Sequence, residues 1–211
     1  MEIIFNDIGV DIRPLAWLIL IIYLVIQWRR KQNKSYLFCL LVFWIYILYA
    51  LQVTFFPLQI TGTFVDVMRQ NSSWMTDINL IPFYLPNGYF VNEYLHSFAL
   101  AQFAENILLT IPFGFGVNFV LRTRRKDFFW LPFAVGFGIE LAQLLINLIL
   151  RYPYRVVDIT DALLNAAGVV VGYGVFRLFS KVFTGMVGKR HKEPKVLLAF
   201  IQKVSNQALE D

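Results

Sequence analysis

Apolar residues fall into five long blocks separated by short polar runs. The first runs from Pro14 to Trp28, extended upstream by Ile12, and the second from Leu37 to Pro57. The third covers roughly Phe98 to Leu121, the fourth Phe128 to Leu150, and the fifth about Val156 to Phe179. A hydrocarbon core of about 30 Å takes about 20 apolar residues in helix, at 1.5 Å each. The pattern predicts an all-α, polytopic integral membrane bundle of about five transmembrane helices. Residues 1–57 are expected to form two N-terminal transmembrane helices, and 58–97 an extracytoplasmic loop. A core with three transmembrane helices is expected over 79–180, and a cytoplasmic basic tail over 181–211.

Basic residues set the orientation. Arg29, Arg30, Lys31 and Lys34 follow the first block, so that block is not a signal peptide, whose charges precede its apolar region. Positive charge holds a loop in the cytoplasm. Arg122, Arg124, Arg125 and Lys126 lie two helices later, and Lys181, Lys189, Arg190, Lys192 and Lys195 follow the fifth block. All three groups share one side if the N-terminus is outside and the C-terminus cytoplasmic. The long loop from Leu58 to Ser97 carries one basic residue, Arg69, and Arg151 and Arg155 alone break the rule.

Composition agrees. The 211 residues are 58% hydrophobic, above the roughly 45–50% of soluble domains. The net charge of +5 is accounted for by orientation and by anionic lipid at the inner leaflet, so no nucleic-acid partner is expected. The single cysteine, Cys39, excludes an intrachain disulfide and reads as a small buried hydrophobe. The tail "KVLLAFIQKVSNQALED" suits a short amphipathic helix on the membrane surface.

Polar residues inside spans are the informative ones, because an ionisable group at a helix centre costs roughly 2.5–3.5 kcal/mol on insertion scales. Glu140 and Gln143 share a face of the fourth helix. Glu140 lies ten residues before Leu150, about 15 Å below the outer end and so near the midplane. Arg155, Asp158, Asp161 and Asn165 follow steps of three, three and four, one stripe of the fifth helix. Their expected depths run from the outer surface, for Asp158 and Asp161, to two turns deeper for Asn165. Glu105 and Asn106 lie about two turns below the outer surface in the third helix, whose inner part holds Pro112. The inner halves are almost uniformly apolar, which favours an outward polar pocket over a conduit. Simpler roles compete: Asp158 and Asp161 as helix caps, Arg155 as the ion-pair partner of Asp158, Gly168 and Gly172 as close-packing positions. Glu93 and His96 are too few for a metal site, and no metal or cofactor is expected. The loop "DINLIPFYLPNG", with a turn at Asn87-Gly88, suits a segment at the interface held against protein.

Four stretches, "NLIPF" from Asn79, "NILLTIPFG" from Asn106, "IELAQ" from Ile139 and "RVVDITDALLNAAG" from Arg155, resemble the VanZ-like membrane proteins, associated with resistance to teicoplanin and related glycopeptides. They cover about half the chain in the family's order. Thr110 and Ile139 depart from it, standing where the family often has a bulky apolar residue and a small one. The resemblance implies a multi-pass protein of the bacterial cell membrane and a resistance phenotype, without a settled reaction.

Three functions follow. The favoured one is binding: an outward pocket of Asn79, Glu105, Asn106, Glu140, Gln143, Arg151, Arg155, Asp158, Asp161 and Asn165 would hold a lipid-linked cell-wall precursor, another membrane lipid or a glycopeptide antibiotic. Arg151 and Arg155 would grip a phosphate or carboxylate. The second is an acid–base enzyme acting on an envelope lipid, with Glu140, Asp158 and Asp161 as candidate catalytic residues; no Ser-His-Asp set, metal cluster or phosphate loop supports it. The third is a proton-coupled exporter or flippase using Glu105 and Glu140, which a homo-oligomer would make easier.

Overall fold

The computed structural model describes residues 8–11, 13–30, 32–75, 77–84, 93–121, 123–188 and 196–210. Arg122, the Asn87-Gly88 turn, and the basic residues Lys31, Lys189, Arg190, Lys192 and Lys195 lie outside them, as do the side chains of Glu93 and His96.

The described helices are α1 (Arg13–Arg29), α2 (Lys34–Phe55), α3 (Thr63–Asn71), α4 (Glu93–Val120), α5 (Leu131–Leu150), α6 (Ile159–Gly188) and α7 (Val196–Glu210). The chain is an all-α, membrane-type bundle. Four helices, α2, α4, α5 and α6, are long and apolar enough to cross a bilayer. The first apolar block forms the 17-residue α1, at the short limit of the roughly 17–25 residues that span. Large apolar side chains such as Leu18, Ile22, Phe38, Ile45, Leu108 and Leu178 point outward, a surface suited to lipid rather than water.

The hub is α6: 39% of its most apolar window is buried, against 6% for α2. α4 runs parallel to it, with Ile107 and Thr110 against Gly168 and Ile111 against Gly172. α5 runs antiparallel, with Gly136 against Ala162. At all these glycines, and at Gly114, a Cβ would be driven into a carbonyl oxygen of the facing helix. The packing role expected of Gly168 and Gly172 is therefore what the structure gives them. α2 packs outside α4, through Tyr46 Oη donating to Leu109 O at 2.7 Å and Phe43 against Phe113.

The two ends differ. At one, called here the acid end, strand β1 (Ile8–Val10) pairs antiparallel with β2 (Leu58–Thr61), and α3 follows directly. Val65 of α3, Leu150 and Tyr152 form a small core, so the long loop is a folded cap over the end of α5. Its one cation, Arg69, donates Nε to Leu150 O at 3.0 Å and Nη2 to Ile60 O at 3.2 Å. A guanidinium on the last carbonyls of a helix satisfies groups that helix geometry leaves open. At the other, basic end, Asn33 caps α2 by accepting from Ser35 N at 2.9 Å, and a 3-10 turn (Arg125–Phe129) leads into α5. α7 was expected on the membrane surface. It folds back on α6, where Arg177 Nη1 donates to Ala208 O and Ser205 is fully buried.

Candidate functional site

The site is built where the chain leaves α5. Arg151 takes the left-handed conformation (φ 62°) that ends the helix, and the chain doubles back along α5 in extended form. A stripe of α5, Asn147, Gln143 and Glu140, receives it. Tyr154 N and Arg155 N each donate to Asn147 Oδ1 at 3.0 Å, and Asn147 Nδ2 donates to Arg155 O at 2.7 Å. With its amide set so that nitrogen faces acceptors, Gln143 donates to Val156 O at 3.3 Å and Glu140 Oε2 at 3.2 Å. Asp158 N donates to the same Glu140 oxygen at 2.9 Å. On the other side, strand β3 (Ile78–Asn79) pairs parallel with β4 (Val157–Asp158), and Val157 N donates to Asp77 O at 2.9 Å. Non-helical backbone out of water requires this degree of satisfaction.

Asp158 then starts α6. Its Oδ1 accepts from Thr160 N at 2.7 Å, an N-cap, and its Oδ2 accepts from Asn79 Nδ2 at 2.9 Å. Asn79 Oδ1 accepts from Ile81 N at 3.1 Å, and Thr160 Oγ1 accepts from Phe83 N at 2.9 Å. Two of the four motifs, 79 residues apart, are thus tied into one knot.

Several expectations need correction. Arg155, Asp158, Asp161 and Asn165 are not one helical stripe. The helix begins at Ile159, because the residues before it are claimed by β4 and by α5, so only Asp161 and Asn165 share its face. Arg155 does not pair with Asp158: among the described residues the ion pairs are Arg13–Asp11 and Arg69–Asp66. The Arg155 guanidinium lies over the Tyr154 ring, 5.3 Å from its centroid, with Nε buried and unpartnered. Arg151 is exposed at the end of α5. Glu105 is exposed as well; it lies about 200° around α4 from Ile107, which faces α6, so it does not join the pocket wall facing Asp161 and Asn165. Asn106, half-buried beside it, offers its carbonyl to Thr110 Oγ1 at 3.3 Å.

Glu140 lies toward the acid end of the bundle. Thr110 Oγ1 donates to Asn165 O at 2.7 Å, and the adjacent Leu109 meets Tyr46, which fixes a common height. Asp158 stands about 10 Å above it, level with the last turn of α2. Glu140, bonded to Asp158, is at that height too. The last ten residues of α5 rise about 15 Å further into the cap core at Leu150. α5 is thus displaced along its axis toward the acid end relative to α2.

What the knot leaves open is chemically distinctive. Glu140 is 6% exposed, yet its Oε1 takes no hydrogen bond from the described residues. Asp161, half-buried, takes neither hydrogen bond nor ion pair from them. Asn165, 1% exposed, has an unpartnered Oδ1 one turn further along α6. Asp158 and Asp161 are both within electrostatic reach of Glu140. Acceptors are in excess, and donors are missing.

The family model VanZ/LLP1 matches residues 43–180. The chain belongs to the VanZ/LLP1 family. No curated protein and no solved structure matches it. The family match takes in every element of the knot and begins at Phe43, the α2 residue that packs on Phe113 and fills the space beside Gly116.

Two residues of this VanZ-type site escaped the sequence reading. Asn147 was legible: with Glu140 and Gln143 it completes a stripe at steps of three and four on an otherwise apolar helix. Thr160 was not, since a lone threonine in a first helical turn carries no signal of a loop held 77 residues away. Thr110, noted only as a departure from the family pattern, bridges α4 to the Asn165 carbonyl.

Proposed function

We propose that this VanZ-family protein sits in the bacterial cell membrane with its acid end outward and binds there the polar head of an amphiphile, lowering susceptibility to teicoplanin-type glycopeptides. The head is a donor-rich one, sugar hydroxyls or an ammonium, carried by a lipid-linked envelope precursor or by the lipid-tailed antibiotic itself. One observation carries the reading: Asp161 and Glu140 Oε1 lie together at the start of α6 without donors from the described residues. Buried or half-buried carboxylates left so are costly unless something else supplies the hydrogen bonds. The orientation rests on charge. Arg29, Arg30, Lys34, Arg124, Arg125, Lys126 and Lys181 gather at the basic end, against Arg13, Arg69, Arg151 and Arg155 at the acid end.

The test compares glycopeptide susceptibility in cells expressing the unchanged chain, Asp161→Asn or Glu140→Gln at matched membrane abundance. Each isosteric change removes an anionic acceptor and little volume. Protection by the unchanged chain, lost in both variants, is the expected result. Equal protection by all three would overturn the carboxylate site, and no protection by any would overturn the resistance role.

A further inference from the structure

At the basic end, α7 does not close onto the bundle completely. Between it, the start of α2 and the end of α4 lies a cavity of about 950 Å³, near the top of the roughly 300–1,000 Å³ range of small-molecule sites. It is some 18 residues of α6 from Asp158, about 27 Å, so it is separate from the acid-end site. Its apolar wall includes Phe119, Phe176 and Phe200. Its polar rim carries Arg124, at the start of the 3-10 turn, and Lys203 from α7, facing one acid among the described residues, Glu210. Neither cation has an ion-pair partner among the described residues. Asn33, also on the rim, commits its Oδ1 to capping α2, which leaves its Nδ2 as a further donor.

We infer that this cavity is a second binding site, for an anionic amphiphile whose phosphate is held by Arg124 and Lys203 and whose acyl chain lies on Phe119 and Phe200. Two unpaired cations against one acid select an anionic head over a zwitterionic one. The partly exposed phenyl rings of Phe119 and Phe200, backed by the buried Phe176, select a lipid over a soluble phosphate. On the charge-based orientation the cavity opens at the inner leaflet, where anionic lipid is concentrated.

The test uses delipidated full-length protein in detergent and native mass spectrometry, with three probes: phosphatidylglycerol, phosphatidylcholine of the same chains, and glycerol phosphate. One phosphatidylglycerol per chain is expected to bind, with phosphatidylcholine and glycerol phosphate much weaker. Arg124→Gln with Lys203→Gln should weaken phosphatidylglycerol by roughly 30-fold, given about 1 kcal/mol per basic residue at an anionic surface. Arg125→Gln with Lys126→Gln removes the same charge from the same end without lining the cavity, and should change little. Phe200→Ala should weaken the lipid and leave glycerol phosphate unaffected. Equal losses in the two double variants would reduce the effect to diffuse surface charge and overturn the site. Glycerol phosphate binding as tightly as the lipid would overturn the amphiphile, and so would equal retention of phosphatidylcholine.

Discussion

Two glycines on one helix, Gly136 and Gly138, should respond to the same substitution with opposite signs. An alanine gains about 0.8–1 kcal/mol of helix propensity over glycine at either position. At Gly138 nothing lies within 4 Å of the new Cβ, so Gly138→Ala should keep that gain. At Gly136 the Cβ would run into the Ala162 carbonyl oxygen, with Ala166 N at 3.0 Å behind it. Both are backbone atoms of α6 and cannot rotate away. The helices must part by roughly an ångström to restore normal contact distances, an overpacking cost of about 1–3 kcal/mol. Glu140 is one turn further along the same face, so its 2.9 Å bond from Asp158 N would stretch past the hydrogen-bond limit, at about 1 kcal/mol more. Set against the propensity gain, Gly136→Ala should lose about 1–3 kcal/mol, and the two variants should differ by about 2–4 kcal/mol. For a chain of this size that is on the order of 10 °C in midpoint temperature. Thermal unfolding of both proteins in one detergent measures it, and the susceptibility assay should show protection lost only in Gly136→Ala. A Gly136→Ala protein as stable as Gly138→Ala would refute the close α5–α6 contact and the argument built on it.

Other parts of the knot give sharper local tests. Asn147→Ala strands the N–H groups of Tyr154 and Arg155 and the Arg155 carbonyl, and should destabilise by about 2–4 kcal/mol; a change in unfolding midpoint no larger than that of Gly138→Ala would count against the brace. Asp158→Ala removes both the α6 cap and the Asn79 bond, for about 2 kcal/mol by the same measurement; a loss within error of zero would show that neither bond contributes. Thr160→Val takes away the acceptor of Phe83 N–H and should speed hydrogen exchange at that amide on the order of tenfold, the equivalent of about 1.4 kcal/mol, while the amides of α4 stay unchanged; unaltered exchange at Phe83 would argue against the loop being tied to α6.

The bundle was readable because its signals are long. Blocks of about twenty apolar residues have few alternative folds, and the glycines Gly168 and Gly172 stand four apart where close packing needs them. The cap was not readable. α3 has nine residues and β2 four, too short for periodicity to speak, and their core depends on Tyr152 arriving from a distant turn. The site was half readable. The identities of Glu140, Gln143, Asp158 and Asn79 were evident, whereas their heights depended on an axial offset of α5 that no local pattern encodes. Counting ten residues back from Leu150 gives a position along α5 alone, and spacing along α4 did not show that Glu105 turns away from α6.

That offset also separates structural polar residues from functional ones. Because α5 rises about 15 Å beyond Glu140, the chain must return beside it in extended form before α6 can begin. Asn147 and Gln143 answer that need with hydrogen bonds to backbone, and Asp158 answers it by capping α6. None of these requires a ligand to explain it. Asp161, Glu140 Oε1 and Asn165 Oδ1 satisfy no backbone group among the described residues. A purely structural stripe would have little use for three further acceptors at the same helix start, with no ion-pair partner among the described residues. The two classes should therefore come apart in experiment. Asn147→Ala should lower stability and leave activity per folded molecule intact. Asp161→Asn should leave the unfolding midpoint unchanged, or raise it slightly by relieving repulsion with Asp158 and Glu140, while protection is lost. If both variants instead lose stability and protection in proportion, the acids are part of the scaffold, and the donor-seeking site at the head of α6 does not exist.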